Sequence, residues 1–212
     1  MFFGQAGMLE ETYDCHYFKL LQQEYRFLRY KFDLKPLGSS LYKSLRIRPS
    51  NFPQVKIAQL SALWSRYDTL FSMILEAGNL RQIKSLLRVP PSDYWETHYH
   101  FHQVSAKKEK LLGEQTLNIM LINTVVPMLF AYGYQNNLTE YTDRAIEILE
   151  RLPAEKNRII SLFDQAGIVA RHAGDTQSII QLKREYCEKG KCLFCRIGFQ
   201  LLKRCCQNGK NP

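Results

Sequence analysis

The sequence predicts an all-α fold, an irregular helical bundle with a cysteine-containing turn near its C-terminus. Three observations carry that expectation. Apolar residues recur at steps of three and four over long stretches, helix stop and start signals separate those stretches, and strand-like alternation is confined to HYHFH, residues 98–102. No block repeats at a constant period, which argues against a solenoid. With 212 residues, of which 45% are hydrophobic and 12% aromatic, the chain can bury a substantial core. Residues 1–212 are expected to form a single helical domain.

The glycines of GQAG, Gly4 and Gly7, neither follow a strand nor lead to the lysine-serine ending of a phosphate loop, so they are turn glycines before the first helix. Phe18, Leu21, Tyr25, Leu28 and Phe32 mark the apolar stripe of that helix, with Lys19, Gln22, Gln23, Arg26 and Arg29 on its other faces, and Lys35-Pro36 with LGSS ends it. In RIRPSNFP, Asn51 is placed to cap and Pro53 to open a second helix, because the first turn has no use for the missing N–H. Ile57, Leu60 and Trp64 are its expected buried stripe. Leu70 to Glu76 continues or restarts it, Gly78 is placed to end it in a left-handed turn, and Asn79 caps a further helix to Leu87, stopped by VPPSD.

The most apolar run, Leu117 to Tyr132, is shorter than the ~20 residues a membrane span needs and contains Asn118, Asn123 and Pro127. It is expected to be a buried helix, kinked near Pro127 and ended at Tyr132-Gly133 and the loop QNN. Thr139 to Leu152, Glu155 to Ala170 and Asp175 to Tyr186 give three more helical windows, broken by Pro153 and Gly174.

Charge and cysteine usage narrow the chemistry. The net charge of +9 is uneven: Arg26 to Lys56 holds eight Lys or Arg against Asp33 alone, and Lys183 to Lys210 holds eight against Glu185 and Glu188. Such segregation suits an anionic partner such as nucleic acid, though solvated helix faces produce the same pattern. Six cysteines in a chain of this length are not a disulfide scaffold, and MFFGQAGMLEETYD has no basic leader before an apolar core, so a reducing cytoplasm is expected, with no membrane partner.

Cys192 and Cys195 have the C-x-x-C spacing that lets two sulfurs chelate one ion, and Cys187 can return as a third ligand across Gly190. Lys183, Arg184, Lys189, Lys191 and Arg196 would favour thiolates. The fourth ligand would be Cys205 or Cys206, or a distant His16 or His172. Zinc leads as the occupant, an iron–sulfur cluster follows, and buried reduced thiols are the alternative to any metal.

Glu96, His98, His100 and His102 alternate in YWETHYHFH, so an extended segment would show all four on one face and could bind a divalent cation or serve a hydrolase-type site with Arg48 as an anion clamp. A polar edge backed by Trp95, Tyr99 and Phe101 is the competing reading. In EYRFLRYKF, Arg26, Arg29 and Lys31 could contact phosphates while Tyr30 stacks on bases, although Tyr25, Phe27, Leu28 and Phe32 at helical spacing are more simply core. Arg46 and Arg48, with Asn51, precede a helix start and form a second candidate phosphate site. Lys183, Arg184, Lys191 and Arg196 supply the C-terminal basic surface.

The strings GQAGML, EYRFLRYKFDLKP, RPSNFPQVKIAQLSAL, YWETHY, INTVVPMLFAYG and YCEKGKCLFCRIG, in this order, resemble an uncharacterised bacterial family, domain of unknown function 2851. The resemblance runs over nearly the whole chain and implies the C-terminal portion of longer members, whose N-terminal half carries acidic and Glu-x-His strings suggestive, by analogy, of a nuclease-like sheet. Catalytic residues located there have no positions here. Arg48-Pro49, Asn51-Phe52-Pro53, Asn123, Pro127, Cys187, Cys192, Cys195 and Gly198 are motif positions, and the resemblance supplies no activity. Three functions follow in order: a nucleic-acid-associated binding module, a structural domain that docks an N-terminal partner half, and an enzyme with a His-rich site.

Overall fold

The computed structural model describes residues 1–38, 41–42 and 46–208, the side chains of residues 201 and 205–208 excepted. The fold is all-α, with one two-stranded ribbon among the described residues. The chain forms two compact units, Met1–Leu117 and Asn118–Pro212.

The first unit opens with α1 (Phe2–Gln5), a single turn closed by Gly7 at φ 68. Gly4 is there because a Cβ would fall 2.1 Å from atoms of the Tyr25 ring. Gln5 Nε2 donates to the Tyr25 hydroxyl at 2.8 Å and fixes the same contact from the polar side. The next helix, α2 (His16–Phe32), ends earlier than Lys35-Pro36: Asp33 adopts the left-handed conformation at φ 47, and Leu34 donates its N–H to Arg29 O at 3.1 Å.

Helix α3 (Pro53–Arg66) has proline in its first turn as expected, but Asn51 does not cap it. Asn51 closes a 3-10 turn (Pro49–Asn51), and Phe52 occupies the cap position without a side-chain hydrogen bond. The buried stripe of α3 is Val55, Ala58, Gln59 and Leu63; of the expected stripe Ile57 packs half-buried against the core, while Leu60 and Trp64 are exposed, so the expectation is corrected at those two positions. Gln59 takes an inner position with its amide nitrogen donating to Lys110 O at 2.7 Å, while its buried Oε1 has no hydrogen-bond partner among the described residues. Trp64 lies edge-on to Phe2 at 6.3 Å on the outside.

Two short helices follow, α4 (Leu70–Glu76) and α5 (Leu80–Leu87). Asn79 caps α5, accepting from Gln82 N at 2.9 Å, and Gln82 Oε1 accepts in return from Gly78 N at 2.7 Å. This reciprocal pair satisfies two donors at the helix start, and Gly78 serves it without the left-handed φ expected of it. Past the prolines, the ribbon β1 (His98–His100) and β2 (Gln103–Val104) pairs antiparallel with an irregular register.

The core of this unit is aromatic. Phe3 stacks on Trp95 at 5.4 Å, and Phe101 meets Phe3, Phe18 and Trp95 edge-on at 5.2, 4.9 and 5.3 Å. Each such pair adds about 0.5–1.5 kcal/mol beyond area burial. Trp95 Nε1 donates to the Tyr17 hydroxyl at 3.3 Å, so the buried indole keeps a partner.

The helical run Glu114–Asn136 starts in the first unit and its remainder belongs to the second. It is 23 residues long, apolar enough by length and composition to cross a membrane, with 39% of its most apolar window buried. It therefore exceeds the length read from the apolar run alone. Rather than a simple kink, the residues before Pro127 form a π turn (Leu121–Val125), in which Val126 N–H donates to Leu121 O five residues back. Pro127 has no N–H to offer the preceding turn, and the wider turn absorbs the mismatch.

The remaining pieces of the run are α6 (Glu114–Met120) and α7 (Val126–Asn136). Gly133 lies inside α7 instead of ending it; a Cβ there would meet Leu138 O at 2.8 Å and Thr142 N at 2.9 Å, so glycine lets α7 approach α8 (Thr139–Arg151). Then come α9 (Arg158–Gln165), capped by Asn157, and α10 (Ala173–Leu182), capped by His172. Gly167 at φ 81 helps close the chain after α9, while Gly174, expected as the break, is inside α10. A second π turn (Lys183–Cys187), Gly190 at φ 62 and α11 (Arg196–Asn208) are the last described elements.

Candidate functional site

Four sets of side chains bear on function, and each is built by the local fold. The first is the end of α2. Its inward face is spent on Phe18, Leu21 and Tyr25, and beyond Asp33 it is Leu34 that packs on the aromatic core, while Leu28 is half-buried. Phe32, the next residue of the stripe, is left outside. Phe27 is 63% exposed, Tyr30 92% and Phe32 57%, and Arg26, Arg29 and Lys31 between them are exposed as well. Lys31 Nζ lies 5.9 Å from the Phe27 ring centre and 5.3 Å from that of Phe32. Arg29 approaches Glu10 at 3.9 Å, a loose surface pair. The reading of Phe27 and Phe32 as core is thus corrected.

Arg46, Arg48 and Asn51 occupy the exposed segment before α3, with Arg46 in the left-handed region at φ 62.

The ribbon histidines are divided between two stacks. His98 lies flat on Tyr94 at 4.0 Å, its Nδ1 2.9 Å from Tyr94 O. His100 packs at 4.5 Å on Phe52 and stacks at 5.6 Å on His102, whose other neighbour is Tyr13 at 5.1 Å. Burial lowers the His100 pKa below the ordinary imidazole value, and His102 pushes it the same way. Glu96 sits in a 3-10 turn rather than on the strand and pairs with Lys107 at 3.0 Å. The one-face arrangement of all four groups is therefore not formed.

Lys110 was invisible as a site residue, lying in a lysine-bearing stretch without a pattern, yet it is buried. Its ammonium donates to Glu96 O at 2.8 Å and sits 4.2 Å from the Tyr99 ring centre, and desolvation lowers its pKa. With carbonyls and a ring as its neighbours it clamps residues 105–112 onto the ribbon.

In the cysteine turn, Lys191 O accepts from the N–H groups of Phe194 and Cys195, both at 3.1 Å, and Phe199 N donates to Cys195 O at 2.8 Å. Gly198 brings α11 against the turn, since a Cβ there would meet Cys192 O at 2.7 Å. Cys195 is buried, while Cys187 and Cys192 are exposed, all three as free thiols. Among the described residues no three His, Cys, Asp or Glu side chains gather as a metal-holding group. Cys205 falls on α11 with its side chain outside the described residues, as does that of Cys206.

Of the C-terminal cations, Lys183 pairs with Glu188 at 3.3 Å beside an open groove of about 600 Å³ that Arg158, Ser161, Leu162 and Gln165 also line. Arg184, Lys191 and Arg196 are exposed.

A family model described as a protein of unknown function, DUF2851, matches residues 1–158. The match spans the aromatic unit and continues through α8, and it stops before the cysteine turn. No curated protein and no solved structure matches the chain.

Proposed function

Because this chain belongs to the DUF2851 family of proteins of unknown function, we propose its role from its own surfaces: a binding module whose first unit holds single-stranded nucleic acid at the end of α2. The observation that carries this is Tyr30, a large ring 92% exposed on α2 between Arg29 and Lys31. Exposed rings between cations offer π faces beside positive charge. Bases stack on them at about 1–3 kcal/mol each, and the cations take the phosphates. The surface tolerates any base, since it offers π faces and point charges and no donor–acceptor code.

The test is fluorescence anisotropy with a labelled oligothymidine. Three phosphate contacts give a salt slope near −2, so affinity falls by on the order of tenfold between about 50 and about 200 mM salt. Tyr30→Ala weakens binding at every salt concentration, and Arg29→Ala with Lys31→Ala flattens the slope. Binding that ignores both variants would overturn the reading.

A further inference from the structure

The second unit leaves its own apolar side chains outside, at a place the nucleic-acid surface does not use. Phe194 is 83% exposed and Leu193 69%, and Ile197, Phe199 and Leu202 are also exposed. Leu193 and Phe194 are not loose. They stand on a turn held by the two hydrogen bonds to Lys191 O, with Cys195 buried beneath and the backbone of Cys192 clamped by Gly198. The hydrogen-bonded turn leaves both side chains outside.

The charge around them is as one-sided as the apolar surface. Lys191, Arg196, Lys203 and Arg204 are exposed; Lys191 acts on Glu185 through space, and the other three are in no ion pair among the described residues. On α11 the helical repeat gathers Arg196, Gln200, Lys203 and Arg204 on one arc and Ile197, Phe199 and Leu202 on the other. A cationic arc beside an apolar arc carrying phenylalanines is the pattern of a helix that lies in the interface of a bilayer, with the apolar side chains among the acyl chains and the cations at the headgroups.

We propose that the cysteine turn and α11 form a peripheral docking surface for an anionic phospholipid membrane. Charge complementarity selects this occupant. A second copy of the same surface would bring the unpaired cations face to face. A nucleic acid satisfies the cations but offers leucine and isoleucine nothing to stack on. A bilayer carrying phosphatidylserine or phosphatidylglycerol satisfies both arcs at once. The association is with the membrane surface and departs from the expectation of no membrane partner.

The experiment is cosedimentation of the full chain with vesicles of phosphatidylcholine alone and of phosphatidylcholine with about 30% phosphatidylserine, at low and moderate salt. The chain is expected to pellet with the anionic vesicles, at least about tenfold more than with neutral ones. Leu193→Asp with Phe194→Asp removes that binding, and hydrogen-exchange protection of α7, α8 and α10 equal to that of the unaltered chain shows that the second unit of the variant is folded. Phe194→Trp gives a blue-shifted emission on adding anionic vesicles. Equal binding to both vesicle types, an unshifted Phe194→Trp spectrum, or loss of self-association in the Leu193→Asp, Phe194→Asp chain without loss of vesicle binding would each overturn the proposal, the last by identifying a second copy as the occupant.

Discussion

The two units solve the same packing problem with different side chains. In Met1–Leu117 the largest fully buried residues include Trp95 and Phe18, and Tyr17 and Tyr94 hold that core with their hydroxyls. In Asn118–Pro212 the largest fully buried side chains among the described residues are Leu121, Leu129, Leu152 and Thr176, while Phe130, Tyr134, Phe194 and Phe199 are exposed. An aromatic core is specified by ring geometry and by polar handles that must find partners. A leucine core is specified by how closely the helices approach. The same residue type therefore carries stability in one unit and is available to the surface in the other.

The sharpest way to break this comparison is Trp95→Ala. It removes the ring that stacks on Phe3 and meets Phe101, and it takes one of two partners from the Tyr17 hydroxyl, which keeps Ser92 at 3.3 Å. The expected loss is about 3–5 kcal/mol. Hydrogen exchange should place the loss of protection in residues 1–117; a uniform loss over the whole chain would show that the two cores are not separately specified. Its counterpart is Gly133→Ala, where the added Cβ meets backbone that cannot swing aside, Leu138 O at 2.8 Å. Overpacking of this kind costs about 1–3 kcal/mol, read in the denaturation midpoint, with protection lost first from α7 and α8.

The legible part of the fold was what local chemistry dictates. Asn79 caps its helix, Pro53 opens one, and the helical class follows from the periodicity. Harder to read were positions where two arcs of a helix are both apolar. In α3 the sequence offers Leu60 and Trp64 as readily as Val55, Ala58 and Leu63, and the buried face includes Gln59, whose partner Lys110 lies fifty-one residues on. The end of α2 is similar: Phe32 continues the periodic stripe, but Leu34 has taken the core position after the left-handed turn at Asp33. For the cysteines, spacing reports that Cys187, Cys192 and Cys195 can reach one another, while side-chain direction, which spacing does not encode, turns Cys195 inward and leaves Cys187 and Cys192 exposed.

Caps sharpen the comparison from the other side, because they are indifferent to core type. Asn79 in the first unit and Asn157 in the second each accept a backbone N–H three residues on, at 2.9 and 3.0 Å. Asn79→Ala and Asn157→Ala should each cost about 1 kcal/mol in chemical denaturation. A clear inequality between them would mean that one helix is held mainly by its core and the other mainly by its ends.

The smallest expected effect is acid sensitivity confined to the aromatic unit. His100 is held on Phe52 beside His102, and burial first, then the second imidazole, lowers its pKa below 6.5. Above that value the ring is neutral in both folded and unfolded chains, so titration costs nothing. As the pH falls through 6.5 the unfolded chain takes up the proton before the folded one, and stability declines until the folded pKa is passed. Denaturation midpoints measured from about pH 7.5 down to about pH 5 should fall, and His100→Gln should flatten that slope, since glutamine keeps a polar planar group without the proton. If the slope survives in His100→Gln, the acid sensitivity arises outside the stack of Phe52, His100 and His102, and the stack is only packing.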